Sequence, residues 1–474
     1  MRHRTGNAPG LAAAIAIAFL SAACGGGDPA PMAGAFDASF GTGGLAQPAH
    51  SLSARATAAV HATVDEAGRI WVSGGTTEPG NAIHGRLLPD GSADSSFGAG
   101  GVIAQPAVPN ADPFAAIAGR AAFPDRAGGA RLFQGVSVAG CATGPSCGPA
   151  GGFRLVTDAR VARVDDRGDP VASHGIGGAV TVTAESVFDA VPDASGGVVV
   201  LVAARRDAFD PAPGNRVHRI DSQGSRDTGF EARAASALEC PGFERGAPAL
   251  ARLAAMPDGR LVVAQSFVAA PAGTPRLCVS RLLPDGSPDA TWGTAGRSVV
   301  EEPSGPPPAV LNLLHLGANA DGSVEIVVTF VPERIDPARP LFAVVPLGST
   351  GRPDPARLAA GAFAGAGMPV AMASAFARDA KGRFLVAGYP YGPAAPGVRI
   401  EQPRVARYGP DGALDESFGV SGPGFTTLRF DSPASRLAPR HVHVSGESLL
   451  VSGSAVFDDP SRPPRFALAR LSGR

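Results

Sequence analysis

Three histidines are spaced so that their imidazoles could hold a metal ion. His441 and His443 alternate within Arg440-His441-Val442-His443-Val444, and residues two apart on a β-strand lie on the same face of the sheet. His61 takes a similar place in an earlier segment, Ala59-Val60-His61-Ala62. Neutral imidazole is a common metal ligand. The three side chains form a candidate metal site, but nothing near them in sequence supplies a further ligand, and the pattern favours ordinary half-buried or exposed strand residues.

Four aspartates recur in copies of the pattern D-x-[ST]-[FW]-G-x-x-G and raise the question of calcium binding. Calcium requires several oxygen ligands that converge on one point, whereas each copy offers one carboxylate and one hydroxyl in a separate repeat. We therefore expect each aspartate to accept backbone N–H bonds in its own turn, with the aromatic residue wedged between repeats and the glycine at positive φ. The residues concerned are Asp37, Phe40 and Gly41; Asp94, Phe97 and Gly98; Asp289, Trp292 and Gly293; and Asp415, Phe418 and Gly419.

Catalytic motifs are missing from the sequence. Ser39, Ser96 and Ser417 precede the repeat aromatics and fit turn positions, not a G-x-S-x-G nucleophile elbow, and there is no phosphate-binding P-loop. Two tryptophans, Trp71 and Trp292, are too few for a propeller with repeated tryptophan docking motifs around a quinone cofactor. A formal net charge of −1 gives no basic surface for nucleic acid. We predict no cofactor and no catalytic residue, and we favour a protein that is not an enzyme.

Residues 1–24 have the layout of a bacterial signal peptide. A positively charged start precedes an apolar run from Leu11 to Leu20 that ends in Ser21-Ala22-Ala23-Cys24, and this run is too short to span a membrane as a helix. Cys24 resembles the lipidated cysteine of a bacterial lipobox, although serine stands where that motif usually has leucine. The alternative is an ordinary secretory peptide cut just before Cys24. Residues 25–35 would then form a flexible tether.

Four cysteines follow Cys24, an even number that fits two disulfides in an oxidising compartment. Cys141 and Cys147 flank a short loop, and Cys240 and Cys278 are the other two. Of the three possible pairings we favour 141–147 with 240–278, because the first two cysteines are close in sequence. A zinc site is the competing interpretation, but neither a C-x-x-C pair nor a suitably spaced histidine accompanies them.

Two series of turn glycines divide the chain into repeats. The first lies inside hairpins such as Val60–Val64 and Arg69–Gly74, which Asp65-Glu66-Ala67-Gly68 joins. The second follows a further strand of the same repeat. The first series comprises Gly68, Gly128, Gly196, Gly259, Gly322, Gly382 and Gly446, and the second comprises Gly91, Gly168, Gly224, Gly286, Gly351, Gly412 and Gly473. Both series count seven, with a mean spacing of about sixty residues, as in repeat arrays.

Seven repeats of four short antiparallel strands predict an all-β fold, a seven-bladed β-propeller. Packing the blades around a ring buries the apolar face that each blade alone would expose. The repeat region begins with a fourth-strand element, Asp37–Gln47, and finishes with a third strand, Phe466–Leu471. We expect the first element to complete the last blade, which removes an exposed sheet edge. The propeller would be a single domain over residues 36–474.

The repeated unit resembles the delta-60 repeat, a bacterial β-propeller-like family whose unit is approximately A-R-L-x-x-D-G-x-x-D-x-S-F-G-x-x-G. The resemblance covers nearly all of residues 36–474 and is best in the first, fourth and sixth units. Elsewhere it decays: Val171 stands in place of the aspartate in unit two, unit three lacks the glycine after Phe230, and unit five keeps only Asp354. The resemblance implies the propeller fold and no particular activity.

These features favour an exported, lipid-anchored binding or scaffold module at the bacterial cell envelope, facing the periplasm or the cell surface. We expect a monomer that meets the membrane through its lipid alone, takes an envelope protein or glycan as partner and does not bind nucleic acid. The alternative is a periplasmic metal-dependent hydrolase, similar to lactonases, with its site in the central channel. Its mark would be carboxylates and histidines from different blades that face the channel. A third interpretation is a surface structural protein with transient partners.

Overall fold

The structure is a computed structural model of the chain. It describes residues 32–47, 57–76, 81–105, 116–140, 154–184, 186–204, 214–240, 250–267, 276–300, 310–331, 341–354, 369–390, 402–431, 434–459 and 461–474. Met32–Arg474 forms one compact unit. Within these ranges no helix has the length and apolarity needed to cross a membrane.

Runs of valine, leucine, isoleucine and alanine between turn glycines form the strands, as their β-propensity and burial predict. The first strand is β1 (Leu45–Ala46). Blade one contains β2 (Thr57–Val64), β3 (Ile70–Thr76), β4 (Ala82–Leu87) and β5 (Val102–Gln105), and blade two contains β6 (Ala116–Pro124), β7 (Ala130–Gly140), β8 (Arg154–Val164) and β9 (Ala179–Val182). Blade three contains β10 (Ser186–Pro192), β11 (Val198–Ala203), β12 (Asn215–Ile220) and helix α1 (Thr228–Ala237). Blade four contains β13 (Leu250–Ala255), β14 (Leu261–Phe267), β15 (Arg276–Leu282) and β16 (Arg297–Val300).

The remaining three blades follow the same order. Blade five contains β17 (Val310–Ala318), β18 (Val324–Val331) and β19 (Phe342–Leu347), and blade six contains β20 (Met372–Arg378), β21 (Phe384–Tyr389), β22 (Arg404–Tyr408) and β23 (Phe425–Thr427). Blade seven contains β24 (Arg429–Asp431), β25 (Ala434–Ser445), β26 (Ser448–Phe457) and β27 (Arg465–Ser472). All pairings between neighbouring strands are antiparallel, as the repeated hairpin turns require.

The seven blades close into a ring, which confirms the predicted propeller. Each blade contributes one inner strand, and these strands contact one another in the cycle β2, β6, β10, β13, β17, β20, β25 and again β2. Apolar clusters fill the spaces between adjacent blades; Trp71, Phe97 and Leu132, for example, pack between blades one and two. The core of the molecule therefore consists of a series of interfaces between blades, as expected for a repeat protein in which each unit buries its neighbour.

The prediction of four strands in every blade is wrong for blade three. Helix α1 stands where the fourth strand was expected. Asp227 caps it, because Oδ1 accepts a hydrogen bond of 2.9 Å from the backbone N–H of Phe230. Unit three lacks the glycine that follows the aromatic residue elsewhere, and the alanine-rich segment after Phe230 has high helix propensity. In blade five the structure describes three strands, and residues 355–368 lie outside the described ranges.

The N-terminal strand completes the last blade, as predicted. Strand β1 pairs with β27 through Leu45 opposite Ala469 and Ala46 opposite Leu468. Blade seven also has an additional short strand, β24, beside the first residues of its inner strand β25, which makes a sheet of five strands.

Gly34, not Gly473, is the turn glycine of blade seven, so the predicted assignment of Gly473 is wrong. Gly34 has φ of 80°, and its N–H donates to the carbonyl of Ser472 at 2.7 Å. The Ala33 carbonyl accepts the N–H of Gly419 at 2.9 Å. In blade one the equivalent bond runs from the N–H of Gly41 to the carbonyl of Asp90, the residue before turn glycine Gly91. The second turn of this blade is thus shared between two distant segments. The compact unit starts at Met32, four residues before the predicted domain start, and includes part of the predicted tether.

Candidate functional site

The repeated aspartates hold their own turns, as predicted for an Asx-type role. In each copy Oδ1 accepts the backbone N–H and the hydroxyl of the residue two positions later. The N–H bonds are 3.0 Å for Asp37 and 3.1 Å for Asp94, Asp289 and Asp415. Burial opposes ionisation, but the bonds from Ser96 and Arg86 hold the pKa of Asp94 below its ordinary value. These carboxylates are spread over four blades and are engaged within them, which does not fit a shared calcium site.

An arginine from the third strand of the blade completes each motif. Arg86 Nε donates to Oδ2 of Asp94 at 2.6 Å, and its guanidinium carbon lies 4.7 Å from the centre of the Phe97 ring. The same pairs form between Arg281 and Asp289 at 2.9 Å, Arg407 and Asp415 at 2.8 Å, and Arg470 and Asp37 at 2.8 Å. The role of these arginines was not predicted from the sequence. Their constant position eight residues before the aspartate in three of the four copies is the signal that could have identified them.

The aromatic residue of each motif packs on the next blade. A Cβ added to Gly91 would lie 2.7 Å from Phe40, and one added to Gly351 would lie 2.7 Å from Trp292, so only glycine leaves room for the ring. The motif glycine adds a backbone bond, because Gly293 N–H donates to Thr350 O at 2.7 Å. The motif residues therefore connect adjacent blades and are committed to the framework of the propeller.

One repeat position lies in the inner strand of every blade, where neighbouring blades meet around the ring. In six blades it follows a β-bulge in the inner strand, seen as a register shift between Ala59 and His61 in blade one and at the matching point of blades two, three, five, six and seven. In blade four the inner strand pairs without such a shift. It lies seven residues before the first-series turn glycine, or five in blade seven. We call the seven residues at this position the axial ring: His61, Ala121, Asp189, Arg252, His315, Ala375 and His441.

One side of the axial ring is charged. Asp189 accepts backbone N–H bonds from Ala190 at 3.0 Å and, across the blade boundary, from Leu253 at 3.1 Å. Burial raises the pKa of Asp189, while the nearby charges of Arg252 and Arg120 oppose that rise. Arg252 donates from Nε to the carbonyl of Leu314 in the next blade at 3.4 Å. The inner strands of blades three, four and five are thus linked through the ring.

The opposite side of the axial ring holds imidazoles. The rings of His61 and His441 lie 4.5 Å apart between blades one and seven, and His441 Nδ1 accepts the N–H of Ala62 at 3.4 Å. Burial, with a smaller effect of His443, lowers the pKa of His61 to about 4. His315 lies beside the charged side instead, in the blade next to Arg252, and burial and the charge of Arg252 lower its pKa to about 4. These imidazoles are therefore neutral at neutral pH.

The three predicted metal histidines do come near one another. His61 and His441 are in contact, and His443 is close enough to lower the pKa of both. Across the described ranges, however, no group of three or more His, Cys, Asp or Glu side chains has an arrangement that could hold a metal ion. The metal site stays a prediction without geometric support.

A buried polar network lies between blades one and two and was not anticipated from the sequence. Ser73 Oγ and His84 Nδ1 are 2.9 Å apart, and His84 Nε2 lies 3.0 Å from the side-chain amide of Gln134. That amide also donates to Gln105 at 2.6 Å, and Arg160 donates to the same Gln105 oxygen at 3.0 Å. Ser73, His84 and Gln134 are fully buried, so this serine–histidine pair stabilises the interface and is closed to a substrate.

A disulfide joins Cys240 to Cys278, the second pairing that the sequence favoured. It fixes the segment after α1 to strand β15 of blade four. Cys24, Cys141 and Cys147 lie outside the described residues, so the lipid anchor and the other disulfide stay predictions.

Comparison with known proteins supports a β-propeller repeat family. Residues 257–291 and 382–418, in blades four and six, match a family described as "Domain of unknown function (DUF5122) beta-propeller". No curated protein matches the chain.

Similar solved structures are distant. One is the polysaccharide lyase Uly1, with 9% sequence identity, coverage of 92% of this chain and 93% of that chain, and a TM-score of 0.46. Another is prolyl oligopeptidase B from Galerina marginata, with 12% identity, coverage of 89% of this chain and 51% of that chain, and a TM-score of 0.44. A third is the α-L-arabinofuranosidase Arb93A from Fusarium graminearum, with 8% identity, coverage of 90% of this chain and 97% of that chain, and a TM-score of 0.38. The chain spans about half the length of the oligopeptidase. Likenesses at these scores carry no argument about activity.

Proposed function

We propose that this β-propeller is a binding or scaffold module of the bacterial cell envelope, anchored through Cys24, that takes its ligand at the axial ring. One observation carries the proposal: five of the seven equivalent ring positions have polar or charged side chains, from five different blades. Elsewhere in the repeats, charged side chains such as Asp94 are bonded within their own motif. Polar groups that converge from several elements in a central channel are typical of ligand sites.

The envelope half of the proposal is tested at Cys24. Metabolic palmitate labelling and membrane fractionation would compare the wild type with Cys24→Ala. We expect label and membrane association in the wild type and their loss in the variant. A variant that stays in the membrane fraction, or a wild type without label, would contradict the lipid anchor.

The binding half is tested by native mass spectrometry of the protein released from cell envelopes, with Arg252→Gln as the comparison. We expect a bound organic molecule on the wild type that the variant loses. Arg126→Gln is the matched control, because Arg126 is an exposed arginine in the surface turn of blade two with a side chain 90% accessible. Wild-type protein that carries no ligand, or loss of ligand in both variants, would count against binding at the axial ring.

The alternative function, a metal-dependent hydrolase, would use the same axial ring. The ring combines one carboxylate with imidazoles from different blades: Asp189, His315, His441 and His61. Asp189, however, has both oxygens bonded to backbone N–H groups. The same mass measurement before and after EDTA separates the two functions. A stoichiometric metal that EDTA removes would favour the hydrolase over the binding module.

A further inference from the structure

Arg120 is the most unusual side chain near the axial ring. It is the bulged residue of strand β6, directly before ring position Ala121. Its guanidinium lies over Gly135 of the next strand, where an added Cβ would be 2.8 Å from Arg120 Nε. Gly135 therefore leaves the space that lets this long cation lie against the blade.

Arg120 Nε is buried and has no hydrogen-bond partner among the described residues. A buried donor that gives up water without finding a protein acceptor is unfavourable, and more so when it belongs to a cation. Burial lowers the pKa of Arg120, and the charge of Arg252 lowers it further. The folded protein retains this arrangement although it is unfavourable, so this donor is available to water or to a bound ligand.

The charges around Arg120 do not balance. Asp189 is the carboxylate whose charge favours Arg120, while Arg252 repels it. Both Asp189 oxygens accept backbone N–H bonds from Ala190 and Leu253, and its interactions with the two arginines are through space. His315, the ring residue of the next blade, is uncharged at neutral pH because burial and Arg252 lower its pKa. Among the described residues, two guanidiniums thus share one carboxylate, which leaves one net positive charge beside the axial ring.

We propose that the axial ring binds a small anionic ligand through Arg120 and Arg252, with a carboxylate or phosphate group of the ligand placed between the two guanidiniums. Guanidinium groups match the planar and tetrahedral oxyanions of these classes with paired N–H donors. Asp189, fixed by backbone N–H groups of blades three and four, would lie beside the bound group and accept an N–H or O–H of the same ligand. The proposal rests on the axial ring as the binding site and specifies the chemical class of what it takes.

Isothermal titration of the purified protein with inorganic phosphate and with acetate tests the proposal and separates the two oxyanion classes. We expect binding of at least one of these anions by the wild type, weakened about tenfold or more in Arg120→Gln and in Arg252→Gln. Arg126→Gln removes the same charge from the surface turn of blade two and should bind as the wild type does. Absence of binding by both anions, or unchanged affinity in the Arg120 and Arg252 variants, would overturn the proposal.

The melting temperature of ligand-free Arg120→Met separates a binding role from a structural one. If Arg120 is kept for a ligand, replacing a cation whose buried Nε lacks a hydrogen-bond partner by an apolar side chain of similar length should raise the melting temperature while anion binding is lost. A fall in melting temperature together with retained anion binding would assign Arg120 to the framework and refute the proposal.

Failure of this inference is distinguishable from failure of the proposed function. Cys24→Ala leaves the axial ring unchanged and should bind the anion normally wherever the protein resides. Envelope location and a bound neutral molecule, without anion binding, would retain the binding module and reject its proposed ligand class. Anion binding by a protein that lacks a lipid anchor would retain the proposed ligand class and reject the anchoring at the cell envelope.

Discussion

Arg470 donates a hydrogen bond of 2.8 Å from Nε to Oδ2 of Asp37, which lies 433 positions earlier in the chain. In blade one the same bond joins Arg86 and Asp94, only eight positions apart. The same motif therefore stabilises a turn in one blade and joins two distant segments in another. Together with the pairing of β1 and β27, it closes the ring without a covalent link.

Asp37→Asn should loosen the closure of the ring. The substitution keeps the shape of the side chain and removes the charge that Arg470 and Ser39 contact. We expect a loss of about 1 kcal/mol in the free energy of unfolding, because the pair is partly exposed. Hydrogen exchange should show faster exchange in β1 and β27. Asp94→Asn is the matched control: it breaks the same motif inside one blade and should leave exchange in β27 unchanged.

Gly351→Ala should be more damaging than Gly196→Ala, although the two backbones are alike. Gly351 has φ of 80° and Gly196 has φ of 81°. The left-handed conformation therefore lowers the free energy of unfolding by about 1 kcal/mol or more when alanine replaces either glycine. An added Cβ at Gly351 would lie 2.7 Å from Trp292, whereas at Gly196 nothing lies within 4 Å. Packing strain should add about 1–3 kcal/mol at Gly351. Denaturant unfolding of both variants measures the difference, and equal losses would show that the contact between blades tolerates a methyl group.

The fold was predictable because local and periodic signals agreed. Turn glycines such as Gly68 and Gly91 adopt the positive φ that their tight turns require, and the strands between them follow from β-propensity. The turn glycine of blade seven was assigned wrongly, because its second turn is shared by Gly34 and residues near Ser472. The repeat pattern predicted that β1 closes blade seven, but it did not extend to Gly34, which lies before the first motif copy and supplies the turn.

The axial ring was only partly predictable. His61 and His441 were singled out as a cluster between blades one and seven, and they are in contact. Asp189, Arg252 and His315 were missed, because the ring position varies from alanine to arginine and has no local motif. In six of the seven blades the position follows a β-bulge, which arises from pairing with the second strand and leaves no mark in a single segment.

The disulfide between Cys240 and Cys278 should stabilise the propeller substantially. Its sequence separation is 38 residues, and closing a loop of this size in the unfolded chain corresponds to about 2–4 kcal/mol. Cys240→Ser should lower the melting temperature of the oxidised protein, and variant and wild type should melt alike once both are reduced. If the variant melts like the oxidised wild type, the bridge does not contribute. Any further response of the variant to reductant would report the predicted pair Cys141 and Cys147.

The imidazoles of the axial ring should make the protein less stable in mild acid. Burial is the main cause that lowers the pKa of His61 and of His315 to about 4, from an ordinary value of 6.5. Between these values the unfolded chain takes up protons that the folded protein excludes, so the free energy of unfolding falls as the pH falls through this window. The motif aspartates, whose pKa values are held below 3.8, titrate mainly below it.

Denaturant unfolding at about pH 7.5 and about pH 4.5 isolates this effect. We expect the wild type to lose stability between the two values and His315→Gln to lose about 1–2 kcal/mol less, since glutamine does not titrate. The variant's stability at the higher pH serves as its own reference for any change in packing against Phe376. If wild type and variant lose the same free energy of unfolding, His315 takes up its proton as readily in the folded protein as in the unfolded chain. Its surroundings would then be more hydrated than its burial implies.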